Sequence, residues 1–444
     1  MPKKKTALTI EERLQQALVP AEEQPYEVPE NWVWVRLGAV CYASKEKSND
    51  FSNDIKYIGL EHLEKDKGIV GFSSADKVKS TKNAFKEGQI LYGRLRPYLN
   101  KHDITSFDGV CSTDILVFEA TNLVANVLVD KFFNLPFFIE YVVSNSKGIN
   151  LPRVSEETVL NTTFPLPPLS EQQRIVERIE ELFAKLDEAK ERLQEVADSF
   201  VVRKAAILHK AFTGELTKQW RRENGVSDES WEEKKLGEVG VLERGRSKHR
   251  PRNYERLFGG IYPFIQTGDV ANADMFIEKH SQTLSDFGMQ QSKLFAKNTI
   301  CITIAANIGK VAILSYDSCF PDSVVGLTTD EKNSYKYVYY YLSTQQKELE
   351  SKAPATAQKN INLKVLNDLD IPLPSLPEQH EIVRLIDDLL ARERAAQQAT
   401  EQALVSIDLM KKSILARAFR GELGTNKASE ASALELLRQV LAEN

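Results

Sequence analysis

The stretch PLPPLSEQQRIV at 165–176 returns as PLPSLPEQHEIV at 372–383. Sliding the 444-residue chain along itself by 207 positions aligns 165–216 with 372–423 without a gap, and 21 of those 52 pairs are identical. Ordinary composition gives roughly three such matches by chance. Solenoid units repeat every roughly 20–50 residues, so this longer period marks a duplicated module rather than a stacked array. Upstream the echo is fainter. Trp32 and Leu37-Gly38 match Trp231 and Leu236-Gly237 at a shift of 199, and INL occurs at 149–151 and at 361–363. The chain reads as a body and a shared segment, then a second body and a second copy of that segment.

The shared segment has the signature of a long helix. In the first copy Ile175, Ile179, Leu182, Leu186, Ala189, Leu193, Val196 and Phe200 are spaced by alternating steps of four and three, the seam of a coiled coil. Ser170 with Gln173 fits a capping box after a proline-rich stretch, and Gly214 sits where a helix stops. About 42 residues of helix would span about 63 Å at 1.5 Å each. The second copy keeps the frame with Ile382, Ile386, Leu389, Glu393, Ala396, Thr400, Ala403, Ile407, Met410 and Ile414, but its middle is small or polar. A lone helix with that seam is marginal, because helical stability comes mostly from packing. The simplest partner is the other copy; the alternative is two amphipathic helices, each lying on its own domain.

The bodies differ, so they are the parts that carry information. The first, about 31–164, has strand-like runs such as DIKYIGL and CSTDILVF. Its segment QILYGRLRPYLNKHD at 89–103 interleaves Arg94, Arg96, Lys101 and His102 with Tyr92 and Tyr98, a composition suited to phosphate contact, guanine reading and stacking. The bland alternative is a solvated strand-turn. The second body, about 231–371, opens with RGRSKHRPRNYER at 244–256, six Arg or Lys against one Glu. There Arg244, Arg246, Lys248, Arg250 and Arg252 recur at every second position, one face of a strand or a flexible positive arm. Gln266, within PFIQTGD, is a weaker candidate for reading adenine.

Bulk composition separates few classes. The chain is 42% hydrophobic and 27% charged, with net charge −5, so global charge hides the local basic patches. MPKKKTALTI is basic without the apolar core of a signal peptide, and no apolar run is long enough to span a bilayer. Four scattered cysteines (41, 111, 301, 319) without a CxxC pair suit reduced thiols in a cytoplasmic protein. Catalytic signatures are missing: AANIGKVA lacks the first glycine and the Ser/Thr of a phosphate loop, and no histidine pair has metal-ligand spacing. No [DNS]PP[YFW] tetrapeptide of an amino-methyltransferase occurs. PDSVVGLTTDEK at 321–332 carries Asp322, Asp330 and Lys332 in a pattern resembling metal-dependent nucleases, but so short a pattern arises easily by chance.

Together the two-half layout, PLPPLSEQQRIV and PLPSLPEQHEIV heading long helices, and the GEL endings resemble the specificity (S) subunit of Type I restriction–modification systems. ILYGRLRPYLNK followed by GVCSTDILVF is similar to one class of its target-recognition domains, and YERLFGGIYPFIQTGDV followed by ITIAANIGKVAI to another. The resemblance covers about residues 20–424. It implies an α+β chain: two globular mixed α/β target-recognition domains in tandem, separated by two long helices forming an antiparallel intramolecular coiled coil. The corresponding division is an N-terminal arm with a short helix (1–30), recognition domain 1 (31–168), conserved helix 1 (169–217), recognition domain 2 (218–374), conserved helix 2 (375–424) and a C-terminal tail with a short helix (425–444). The resemblance also implies a subunit without a catalytic centre, reading a bipartite asymmetric double-stranded DNA site. Its expected partners are two methyltransferase (M) and two motor-nuclease (R) subunits, with S-adenosylmethionine, ATP and Mg on those partners and no cofactor or metal here. The terminal helices, the first capped by Thr9 with Glu12 and the last striped by Leu434, Leu437 and Leu441, suit either a partner subunit or the protein's own scaffold. A rival reading is a stand-alone DNA-binding coiled-coil regulator.

Overall fold

The computed structural model describes residues 9–49, 52–77, 80–227, 229–353 and 360–443. The basic start of the chain, through Leu8, lies outside them. The chain forms two compact units, one running to Gln194 and resuming at Gln402, the other spanning Glu195–Glu401. The unit boundary falls inside both long helices, Leu169–Phe212 and Leu376–Ala418, so each unit contains a stretch of each.

In the first unit the body enters and leaves through one antiparallel ribbon, Val33–Arg36 against Thr163–Leu166. Beyond it lies a four-stranded antiparallel sheet in the order His102–Ile104, Ile90–Gly93, Ile115–Ala120, Cys41–Ala43. A five-stranded mixed sheet orders Lys47–Ser48, Lys82–Phe85, Gly109–Cys111, Lys56–Ile58 and Ser73–Ser74. Helices Asn126–Phe132 and Pro136–Ser144 cover the core with a cluster of rings, Phe133 stacked on Phe138 at 4.7 Å. The short helices Ile10–Ala17 and Ala433–Glu443 join the same core through Leu14, Ala17, Ala433 and Leu437, and Arg13 donates to the Leu441 carbonyl. Of the two uses that their stripes suit, packing on the protein's own core is the one observed.

The second unit repeats the plan with other residues. Its ribbon is Glu232–Lys235 against Asp370–Leu373. One sheet orders Gly240–Arg244, Val324–Thr329, Ile300–Thr303, Val311–Leu314 and Phe276–Ile277; the other orders Gln282–Leu284, Phe258–Phe264, Ser318–Cys319 and Leu294–Phe295. Ile300–Thr303 and Val311–Leu314 are buried throughout, as their largely apolar runs require of strands covered on both faces.

The fold class is the expected one, with the long helices packed antiparallel in each unit. In the first unit Lys190 meets Asp408 at 2.8 Å and Lys411 meets Asp187; in the second Arg203 meets Glu393 at 2.6 Å. The position numbers rise on one helix as they fall on the other. Ile175, Ile179, Phe200, Ile382, Ile386 and Ile407 are buried, and Leu182, Leu186, Leu193, Leu389 and Ile414 half-buried. Two seam positions are corrected. Val196 is 40% and Met410 51% exposed; the adjacent Ala197 and Lys411 turn inward, and the Lys411 ammonium sits 5.0 Å over the Phe183 ring. The capping box at Ser170 is also corrected. Pro168 takes the cap position, accepting from the Gln172 amide, and Ser170 lies inside the helix.

A buried glutamate clasps each helix head. Glu171 accepts from Trp32 Nε1 at 2.7 Å, Asn426 Nδ2 at 2.8 Å and Thr425 Oγ1 at 3.0 Å. Its repeat counterpart Glu378 accepts from Trp231 Nε1 at 3.2 Å, Thr217 Oγ1 at 2.7 Å and Arg221 Nη1 at 2.8 Å. Each clasp joins a body's first tryptophan, the helix that follows that body, and the segment beyond the other long helix. The 207-residue register has this architectural meaning.

Candidate nucleic-acid interface

The basic-aromatic strip of the first body divides into inward and outward residues. Strand Ile90–Gly93 is buried at all four positions, so the Tyr92 ring belongs to the core, 5.2 Å from Phe133. Tyr92 is therefore removed from the set of DNA-contacting candidates. His102 is buried as well, its Nδ1 2.6 Å from Asp130, and so is removed with it. Lys101 is half-buried and donates to the Leu60 carbonyl at 2.9 Å. What remains outward is Arg94, half-exposed with Nε on the Val154 carbonyl at 3.2 Å, then Arg96 and Tyr98, both exposed.

Arg96 adopts the left-handed region at φ 54°, and its amide donates to the Pro152 carbonyl at 2.7 Å. This brings in a hairpin that sequence spacing does not suggest. Leu95 bridges Arg153, and Arg153 bridges Lys147. The Arg153 guanidinium forks onto Asp114 at 2.8 and 3.1 Å, and the resulting hydrogen bonds hold the Asp114 carboxyl below its ordinary range. Arg153 is thus neutralised, whereas the exposed Arg96 and Lys147 side chains make no hydrogen bond or ion pair with the described residues and stay available to an anion.

The second body has the same corner. Ile304 takes the place of Arg94, its amide donating to Ser323 as Arg94's does to Asp114, and Ile361 donates to Ile304 as Val154 does to Arg94. Ala305 bridges Asn360 as Leu95 bridges Arg153, and Ala306 is left-handed at φ 43°, as Arg96 is. Hence Arg153 corresponds to Asn360, a shift of 207, and the INL echo at 149–151 and 361–363 is out of structural register. Asn307 and Lys310 on this corner were not among the candidates.

The basic stretch of the second body is mostly loop. Only Arg244 lies in a strand, so the one-face strand alternative does not hold for the rest. Arg244 donates to the Asp322 carbonyl, Arg252 ion-pairs with the Asp322 carboxylate at 2.7 Å, and Arg250 donates to the Ser247 and His249 carbonyls. Arg246 and Lys248 are exposed, and their side chains make no hydrogen bond or ion pair with the described residues. Gln266 precedes the short helix Thr267–Asn272 and donates to Gln282 at 3.0 Å. The acidic pair of the nuclease-like pattern is split. Asp322 and Asp330 flank the six-residue strand Val324–Thr329, about 20 Å long at about 3.3 Å per residue, too far apart to share one ion. Burial pushes the Cys41 and Cys111 thiols up to about 12, which leaves both protonated and unreactive.

The model of the Type I restriction modification DNA specificity domain matches twice, over residues 29–198 and 228–404. The chain belongs to that family. Curated relatives include the EcoBI specificity subunit of Escherichia coli, 26% identical over 92% of each chain, and the EcoKI specificity subunit of E. coli K12, 24% identical over 94% of this chain and 96% of the relative. The EcoDI specificity subunit of E. coli is 35% identical over 44% of this chain and 45% of its own. Among solved structures, the HsdS subunit from Thermoanaerobacter tengcongensis is similar with a TM-score of 0.67 at 23% identity, covering 90% of this chain and 99% of its own. A chain from a study of complex assembly in the type I R-M system has a TM-score of 0.71 at 23% identity, covering 90% of this chain and all of its own. The protein is a specificity subunit of a Type I restriction–modification system with two recognition domains, and the stand-alone regulator reading is unsupported. Among the described residues no helix is long and apolar enough to cross a membrane.

Proposed function

We propose that this specificity subunit is the non-catalytic reader of its complex, each body contacting one half of a bipartite asymmetric duplex site. The observation that supports this most strongly is the recurring corner: the same backbone frame presents Arg94 and Arg96 in one body and the exposed Ala306 and Asn307 in the other, with Ile304 turned into the core where Arg94 stands. A shared frame with different side chains is what two readers of different sequences need. Outward Arg94, Arg96 and Tyr98 serve the first half-site; Arg246, Lys248 and the loop through Arg252, with Gln266 at its side, serve the second. Two methyltransferase subunits dock on the repeated helices, and two motor-nuclease subunits complete the cytoplasmic complex. S-adenosylmethionine, ATP and Mg act on those partners. Purification with and without co-expressed methyltransferase subunits tests the reading. The chain alone neither methylates nor cuts DNA with S-adenosylmethionine or Mg²⁺ added; cleavage abolished by Asp322→Ala would overturn it.

A further inference from the structure

The hairpin beside Arg96 carries a side chain that the folded protein leaves wholly in water. Ile149 is 100% exposed and Leu151 46%. The hairpin is not slack. Lys147 and Arg153 exchange both backbone hydrogen bonds at 2.9 and 2.8 Å, Pro152 accepts from Arg96, and Arg153 forks onto Asp114. Gly148, at φ +110°, makes the turn, where a Cβ would stand 3.0 Å from the Leu151 carbonyl. From Tyr141 to Arg153 the chain has no acidic residue, and the exposed Lys147 and Arg96 flank the tip. A protein partner would call for a broader apolar patch. A small aliphatic tip, Ile149 fully exposed with Leu151 less so, on a narrow, pinned, cationic hairpin suits a polyanion with stacked layers to part.

We infer that Ile149 is a wedge that the first recognition domain presses between adjacent base pairs of its half-site. The wedge selects steps that unstack easily, so it adds sequence preference where no hydrogen bond to a base is made. This rests on the two-reader function proposed above.

The test uses the full chain assembled with its methyltransferase subunits. The probes are a duplex carrying the methylation site mapped in the host and a scrambled duplex. Ile149→Ser binds the mapped site about 10-fold more weakly, about 1.4 kcal/mol, while Ile149→Leu binds as the parent does. The slope of affinity against salt is unchanged, since no phosphate contact is lost. A single mismatch scanned through the first half-site restores Ile149→Ser binding at one step, because that step is already unstacked. Parental affinity in Ile149→Ser, or weakened binding that no mismatch restores, overturns the wedge; so does loss of methyltransferase subunits from the Ile149→Ser complex. A parent complex that does not prefer the mapped site over the scrambled one defeats the two-reader function itself.

Discussion

Tyr92 and Arg96 stand four residues apart in one motif and do opposite work. Among the described residues the buried Tyr92 hydroxyl has no hydrogen-bond partner, so Tyr92→Phe removes an unsatisfied group. Its melting temperature should match or exceed the parent's, with DNA binding unchanged; a drop in specific binding would return Tyr92 to the interface. Arg96→Ala should melt like the parent and weaken binding by about 1–3 kcal/mol, relaxing one half-site only. Methylation mapping of the variant checks this, and altered preference at both half-sites would contradict it. The Asp114–Arg153 pair adds a pH expectation. Hydrogen bonds from Arg153 depress the Asp114 carboxyl, so the pair's contribution is complete above the ordinary aspartate value of about 3.9 and fades as pH falls through the lower folded value. Specific binding by the parent should therefore show no dependence on this pair between about pH 5 and 9. Asp114→Asn should bind more weakly by the same factor throughout that window, which titration of binding at several pH values measures.

At the scale of elements, the glutamate clasps bear more stability than the seam's length suggests. Arg221 and Glu378 are both almost wholly buried, and truncating Glu378 removes the carboxylate that Arg221, Thr217 and Trp231 all donate to. Glu378→Ala should cost about 3–5 kcal/mol by chemical denaturation. Along the seam the cost should follow burial rather than heptad position. Ile179→Ala, at 0% exposure, should lose about 2–5 kcal/mol, whereas Met410→Ala, at a seam position that faces water, should stay within about 0.5 kcal/mol. Equal losses at the two sites would mean that the helices pack in another register.

At the scale of the whole molecule, both long helices run unbroken through the boundary between units, between Gln194 and Glu195 and between Glu401 and Gln402. If this pair of helices sets the spacer between half-sites, one heptad inserted after Leu193 and one after Thr400 preserve the seam's phase. Seven residues add about 10 Å of helix at 1.5 Å each, and about 3.4 Å per base pair makes that at most roughly three base pairs. Helix tilt and DNA bending absorb part of it, so the expected spacer is longer by one to three base pairs with both half-site sequences kept. A functional variant with the parental spacer would show that the helices are not the ruler.

The duplicated register, the two long helices and the family were legible in the chain because their signals are local. Steps of three and four residues, and motifs repeated in order, survive without knowledge of what packs where. The arginines of 94–96 were visible for the same reason. Tertiary structure alone decided which residues of that motif face outward: with Ile90–Gly93 buried on both sides, the period-two alternation that marks a solvent-facing strand is erased, and Tyr92 reads no differently from an exposed neighbour. It also decided that Arg96 meets Pro152, that Trp32 and Asn426 both meet Glu171, and that the terminal helices share one core. Those contacts join residues tens to hundreds of positions apart, and no spacing in a chain encodes a contact made only when burying apolar surface folds distant segments together.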